Sequence, residues 1–313
     1  MKKSNIWVPV YKISPKIARA LMDIEAAKTI VERTALPPAA EAELRRAARV
    51  RSTHCSTRIE GNHLTLKEAQ EVIEDKKTSF HGRERDTGEV RNYWNALLKV
   101  EEWAVKKAEF TEDLIKRLHA IVEKGKRSKP TPYRTGQNVI KDSASGAVVY
   151  MPPEAKEVPK LMSEMAAWVR QAERSGMPGP IIAALAHYQF VKIHPYYDGN
   201  GRTARLLATF LLHGTAMACA AFSQWKSATP GTFRHITLPW PCTSIIITMV
   251  AALRLTLPAG LSIISPFWLM SLAALGMRPQ NTPRRVSRLS LSRSGGWTGG
   301  QGLFWACSPA RTP

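Results

Sequence analysis

From Gly199 to Pro313 the chain contains no aspartate or glutamate, although 25 acidic residues precede that point. A folded domain of such length ordinarily mixes both signs of charge on its surface. Normal folding is therefore expected of the first two thirds, and a different kind of sequence is expected after it. The formal net charge of +20 would suggest nucleic acid if it formed a patch. It does not: residues 1–199 hold 34 basic against 25 acidic side chains, and residues 200–313 hold 11 basic and no acidic ones. More than half of the excess comes from missing acids, so the core gives no indication of nucleic-acid binding. With 44 % hydrophobic residues over 313 positions the chain can bury a core. Cys55, Cys219, Cys242 and Cys307 are scattered without a C-x-x-C pair, so neither a zinc site nor a disulfide framework is expected. The start has no apolar run of signal-peptide type, being interrupted by Lys12, Lys16 and Arg19, and the cytoplasm is the expected setting.

Helix dominates the pattern. An Ala/Leu/Glu/Arg-rich run from Pro15 to about Arg51 is broken at Pro37-Pro38, which can open a new helix. Thr53 to Gly61 reads as a polar helix stopping at Gly61-Asn62, and Thr65 to Glu68 reads as a cap followed by a short helix. Gly88–Ala108 and Thr111–Glu123 are amphipathic, the second capped by Thr111. The β-prone runs 138–141 and 147–150 flank turn residues and predict a hairpin. Pro152-Pro153 opens a helix to about Arg174. Pro180 opens another, largely buried, which carries Ile181, Ile182, Leu185 and Ile193 at helical spacing and delivers His194 at its end. The expected fold is mainly α, a helical bundle with one small hairpin.

The stretch His194-Pro195-Tyr196-Tyr197-Asp198-Gly199-Asn200-Gly201-Arg202-Thr203-Ala204-Arg205 concentrates the chemistry. Gly199-Asn200-Gly201 before a helix lets successive backbone N–H groups converge on an anion at the helix N-terminus, which reads as a phosphate cradle. Arg202 and Arg205, three apart, are expected to point to one side and fork onto phosphate oxygens. Asp198 is the hard oxygen ligand that a phosphate-bound Mg²⁺ needs. His194 is the candidate general base, since an imidazole titrates near neutrality.

These twelve residues resemble the Fic-family signature His-Pro-Phe-x-Asp/Glu-Gly-Asn-Gly-Arg-x-x-Arg, departing from it at Tyr196, whose hydroxyl would need a partner if buried. The resemblance covers roughly residues 10–212 and implies a Fic-type helical core. It implies an adenylyltransferase that uses ATP and Mg²⁺: the match to His194 deprotonates a Ser, Thr or Tyr hydroxyl of another protein or of the enzyme itself. That hydroxyl attacks the α-phosphate and pyrophosphate leaves. By the same resemblance Asp198 binds Mg²⁺, Gly199, Asn200 and Gly201 hold the phosphates, and Arg202 and Arg205 hold the β/γ end. The hairpin strand Val148-Val149-Tyr150 resembles the flap that aligns an extended target by strand addition. Upstream, Ser56-Thr57-Arg58-Ile59-Glu60-Gly61 fits the family's inhibitory pattern Ser/Thr-x-x-x-Glu-Gly/Asn. A carboxylate at Glu60 pairing with Arg205 would occupy the cation meant for the γ-phosphate. Residues 1–110 are thus expected to form a helical region holding the inhibitory stretch 56–61, and residues 111–212 the core.

Residues 213–313 form an atypical tail rich in Ser, Pro, Arg and Trp, expected to be poorly ordered. Leu255–Met277 has transmembrane length, but Pro258, Pro266 and Arg254 argue against a span. Only Arg284, Arg285 and Arg288 cluster as a basic tail would. The reading best supported is translation out of frame. Codons permitted for His213–Ser227, read from the third base, yield Arg-His-Gly-Tyr-Gly-Leu-Arg-Gly-Phe-Phe-Ser-Val-Glu-Glu, which is similar to a Fic continuation, and Thr248–Thr256 behaves alike. The competing expectation is an inactive remnant or a non-catalytic, DNA- or membrane-associated protein.

Overall fold

The structure is a computed structural model, and it describes residues 7–33, 37–125, 129–141 and 148–214. The tail features, including Leu255–Met277, lie outside the described residues. The helices are α1 (Pro15–Arg33), α2 (Pro38–Ile59), α3 (Leu66–Ile73), α4 (Glu84–Val105), α5 (Glu112–Lys124), α6 (Val158–Arg174), α7 (Gly179–Ile193) and α8 (Asn200–Gly214). A short 3₁₀ turn, Ala155–Glu157, precedes α6, and the strands β1 (Ile140–Lys141) and β2 (Val148–Tyr150) pair antiparallel, as the β-prone runs predict.

Local sequence explains most boundaries. Pro38 opens α2 because a first-turn residue needs no N–H partner. The helix closes with Gly61 at φ +90, where Gly61 N donates to Arg58 O and Asn62 N to Thr57 O, the paired bonds of a Schellman stop. Thr65 and Glu68 form a reciprocal capping box on α3, with Thr65 N donating to Glu68 Oε2 at 2.8 Å. Thr111 caps α5 by accepting from Leu114 N at 3.2 Å. α4 begins at Glu84, four residues before the expected Gly88, because its first turn is charged rather than apolar, with Glu84 and Asp86 complementing the helix dipole.

α7 is apolar nearly all round and buried along almost its whole length, as befits a central helix. It packs against α6 on one side and α8 on the other, and α8 also lies against α4 and α5. Tyr93 of α4, Phe110 before α5, Met162 and Met165 of α6, Ile181 and Phe190 of α7, and Leu206 and Leu207 of α8 are all buried in the core. Each such side chain contributes about 1.5–3 kcal/mol by leaving water. α2 packs on α3 and α4 and reaches α8. The described residues of 7–138 and 152–214 fall in one compact unit. The strand residues 139–141 and 148–151 belong to the other unit. Among the described residues no helix is long and apolar enough to cross a membrane.

Candidate active site

Residues 194–199 turn the chain from the end of α7 into the start of α8. His194 caps α7 in the left-handed region, at φ 51 and ψ 60, with its N–H on Phe190 O at 2.9 Å. Its Nδ1 faces Val191 O at 3.4 Å. A carbonyl only accepts, so this contact places the proton on Nδ1 and leaves Nε2 as the basic nitrogen. Burial lowers the pKa of His194, the Val191 carbonyl opposes that, and the Arg134 charge lowers it further. The imidazole is thus held neutral, the form a base requires.

The loop is braced from within. Asn200 is 3 % exposed, and its side chain accepts from Tyr196 N at 3.0 Å and donates to Tyr196 O at 2.8 Å. Gly199 adopts φ +72, and a Cβ there would overlap Glu123 Oε1 and lie 3.0 Å from Glu123 Cδ, so only glycine fits beneath that carboxylate. His119 of α5 stacks on Tyr196, ring centroids 3.6 Å apart, and its Nε2 donates to Asp198 O at 2.9 Å. Tyr196 is fully buried and its hydroxyl has no partner in the structure, so the departure from phenylalanine leaves an unpaired polar group.

The two arginines do not point to one side. Arg202 turns to the α5 side, pairing with Glu123 Oε1 at 2.9 Å and lying 3.5 Å from Asp198 Oδ1 and 3.9 Å from Glu89 Oε1. Arg205 turns to α2. Its Nε donates to Ser56 Oγ at 2.7 Å, and its Nη2 donates to Ser56 O at 2.9 Å and Glu60 Oε1 at 2.7 Å. The reason is the neighbours: carboxylates on different helices flank the first turn of α8 and each draws one guanidinium. In this structure the side chains of Asn200, Arg202 and Arg205 are all engaged by the protein. Ser56 and Glu60 both contact Arg205 of the motif, whereas Gly61 closes α2 through its bond to Arg58 O. The Glu60 carboxylate sits where a Cβ on Gly201 would stand, so it covers the first turn of α8.

Asp198 is exposed, 65 % by side chain, with Arg85 Nη2 at 3.9 Å. Among the described residues no cluster of three or more His, Cys, Asp or Glu can hold a metal unaided. A lone exposed carboxylate nonetheless fits Mg²⁺ that arrives with phosphates, because that ion keeps most of its water and takes one or two protein oxygens. Sequence reading missed Glu123, His119, Glu89 and Arg134. None sits in a motif, and only folding brings them to the loop. Val148 is exposed on β2, whose pairing with β1 supplies the expected hairpin strand.

Comparison with known proteins agrees with this arrangement. Residues 109–212 match the profile of the Fic/DOC family. The chain is 30 % identical over 159 residues to a protein adenylyltransferase Fic of Nematostella vectensis, covering 50 % of this chain and 36 % of that protein. It is 32 % identical over 177 residues to the protein of the same name in Drosophila grimshawi, covering 55 % and 35 %. The chain thus spans about a third of these relatives' length. A crystal structure of a Fic family protein from Desulfovibrio desulfuricans superposes with a TM-score of 0.58 at 27 % identity, covering 86 % of this chain and 74 % of that one. A Fic domain containing signaling protein from Bacteroides thetaiotaomicron gives 0.56 at 25 % identity, covering 63 % and 73 %. The signature loop and its helical frame thus lie within the stretch 109–212 that matches the Fic/DOC family.

Proposed function

We propose that the chain transfers AMP from ATP to a Ser, Thr or Tyr hydroxyl of a protein, and that Glu60 holds it in check. The observation that carries the reading is the joining of three parts at one loop: a neutral His194 on its rim, glycine amides at the α8 N-terminus, and Arg205 already occupied by a carboxylate. In the transfer, the hydroxyl oxygen attacks the α-phosphorus as its proton passes to His194 Nε2. The bond from that phosphorus to the β-phosphate bridging oxygen breaks, and pyrophosphate carries away the electron pair. Asp198 would hold Mg²⁺, which when bound supplies positive charge to the phosphates. The amides of Gly199, Asn200 and Gly201 orient the phosphates, and Arg205, once released, takes the terminal one. Strand addition at Val148, Val149 and Tyr150 would present the target segment. The test is incubation of the full chain and its Glu60→Gly variant with ATP labelled at the α- or the γ-phosphate. Label from the α-position alone, abolished by His194→Ala, is expected; transfer of the γ-label would replace this reading with phosphoryl transfer.

The family match ends at residue 212, where the acid-free tail takes over. This favours the out-of-frame reading of the tail, and we propose it for residues 213–313. Sequencing the DNA across codons 205–230 tests it: a recovered base restores a family-like continuation. A confirmed frame with no label transfer would make the chain a non-catalytic remnant.

A further inference from the structure

His194 stands in a conformation that its own sequence disfavours. A non-glycine residue at φ 51 is strained, and the proline that follows biases its predecessor toward extended backbone. Such a conformation persists only where its surroundings impose it. The imposing contacts come from Arg134, which is 3 % exposed and lies 60 residues away in sequence. Its Nε donates to His194 O at 3.0 Å, its Nη1 to Gly136 O at 2.9 Å and its Nη2 to Pro153 O. Its backbone N–H donates to Pro195 O at 2.9 Å. One residue thus takes the carbonyls of both His194 and Pro195, holding the peptide unit that follows His194 and the one after it.

We propose that Arg134 is a positioning residue for His194, its planar fork tying the strained turn at the end of α7 to the segments at Gly136 and Pro153. The proposal rests on the reading of His194 as the base. Arginine is required because three carbonyls in different directions match a rigid guanidinium and not a compact ammonium on a flexible stem. The segment carrying Arg134 is itself anchored to the motif, since Gly136 N donates to Tyr197 Oη at 2.8 Å and Asn138 Nδ2 to Tyr196 O at 3.2 Å. Arg134 has an electrostatic part as well. The charged groups acting on the imidazole are Arg134, which lowers its pKa, and Glu60 and Asp198, which raise it.

The test uses the full chain with Glu60→Gly as background, comparing Arg134→Lys and Arg134→Gln. With the base misaimed, kcat is expected to fall about 10- to 100-fold while KM for ATP stays within about threefold, because loss of alignment rather than of binding is what slows a positioned reaction. ATP affinity measured by calorimetry is expected to hold alongside. Arg134→Gln is expected to move the acid limb of the pH–rate profile to higher pH, and Arg134→Lys to move it less. Tyr197→Phe, at an exposed position, loosens the same segment without touching the buried charge, and a several-fold kcat loss at constant KM is expected of it. An unchanged kcat in either folded Arg134 variant, or in Tyr197→Phe should those not fold, overturns the proposal; so does an equal fall in kcat and ATP affinity. If His194→Ala leaves transfer intact, the underlying reading of the base has failed instead, and the two failures are distinguishable.

Discussion

Replacing Glu60 by glycine should destabilise the free protein and tighten its grip on ATP, and both effects follow from one ion pair. Arg205 is 8 % exposed by side chain and Glu60 32 %, with 2.7 Å between Nη2 and Oε1. A charge-assisted hydrogen bond is worth about 1.5–3 kcal/mol, and partial solvent access at Glu60 reduces this to about 1–2 kcal/mol. Arg205 keeps Ser56 Oγ and Ser56 O as acceptors, so its guanidinium is not stranded. Glycine adds about 0.5–1 kcal/mol of chain entropy. The free variant should therefore melt roughly 3–12 °C lower, at about 2–4 °C per kcal/mol for a domain of this size. For ATP to place a phosphate on Arg205 the native protein must first break the pair, whereas the variant need not. Its affinity for a non-hydrolysable ATP analogue should rise about 5- to 30-fold, the equivalent of those 1–2 kcal/mol. Saturating nucleotide should then raise the melting temperature of the variant more than that of the native chain. Label transfer should rise at least about tenfold, in line with the same population shift. Calorimetry and thermal melts with and without the analogue check the cycle. A variant that melts lower but binds the analogue no better would refute the argument that Glu60 and nucleotide compete for one guanidinium.

Gly199→Ala should cost about 3–5 kcal/mol in denaturant unfolding: about 1–2 kcal/mol for a side chain at φ +72 and the rest for driving Glu123 off Arg202. Adding Glu123→Ala should recover part of that cost, whereas strict additivity of the two changes would show that the carboxylate is not what excludes a Cβ. Acid should weaken the fold well before carboxylates titrate. Burial lowers His119 to about 4 and His187 to about 3, so both are neutral when folded and take up protons first in the unfolded chain. Their contribution is complete above about pH 6.5 and shrinks as pH falls toward the folded values, by about 1.4 kcal/mol per pH unit for each histidine. Urea midpoints at pH 7 and pH 5 should differ accordingly, and His119→Gln should flatten the slope. An unaltered slope in that variant would place the acid sensitivity elsewhere.

What could be read from the sequence was whatever depends on neighbours along the chain. The Thr65 and Thr111 caps, the Gly61 stop, the end of α7 at His194 and the glycine loop before α8 all rest on contacts within a few residues. The pairing of Glu60 with Arg205, 145 residues apart, was legible only because a family pattern links the two positions. Nothing comparable marks Glu123 or Arg134. Each is an ordinary charged residue until the fold delivers it, Glu123 from the last turn of α5 and Arg134 from an irregular segment. Helical spacing also misled at Arg202 and Arg205. Three residues apart implies a shared face, yet long side chains go where acceptors are, and these acceptors stand on opposite flanks.

That divergence separates a fixed ion pair from an exchangeable one. The partner of Arg202 is Glu123, inside the stretch 109–212 that matches the family, and it is wedged against the bare Cα of Gly199. It cannot leave without opening the loop, so Arg202 serves the loop's shape. The partner of Arg205 is Glu60, outside that stretch, at the capping position of α2, with a third of its side chain in water. Helix ends open at lower cost than helix centres, and a carboxylate there can swing away while Asn62 still clamps the chain to Asp86 O at 2.9 Å. A phosphate competing for Arg205 therefore faces one movable side chain, whereas a phosphate competing for Arg202 would have to unpack the loop that holds it. On this argument the first turn of α8 carries one structural cation, Arg202, and one exchangeable cation, Arg205.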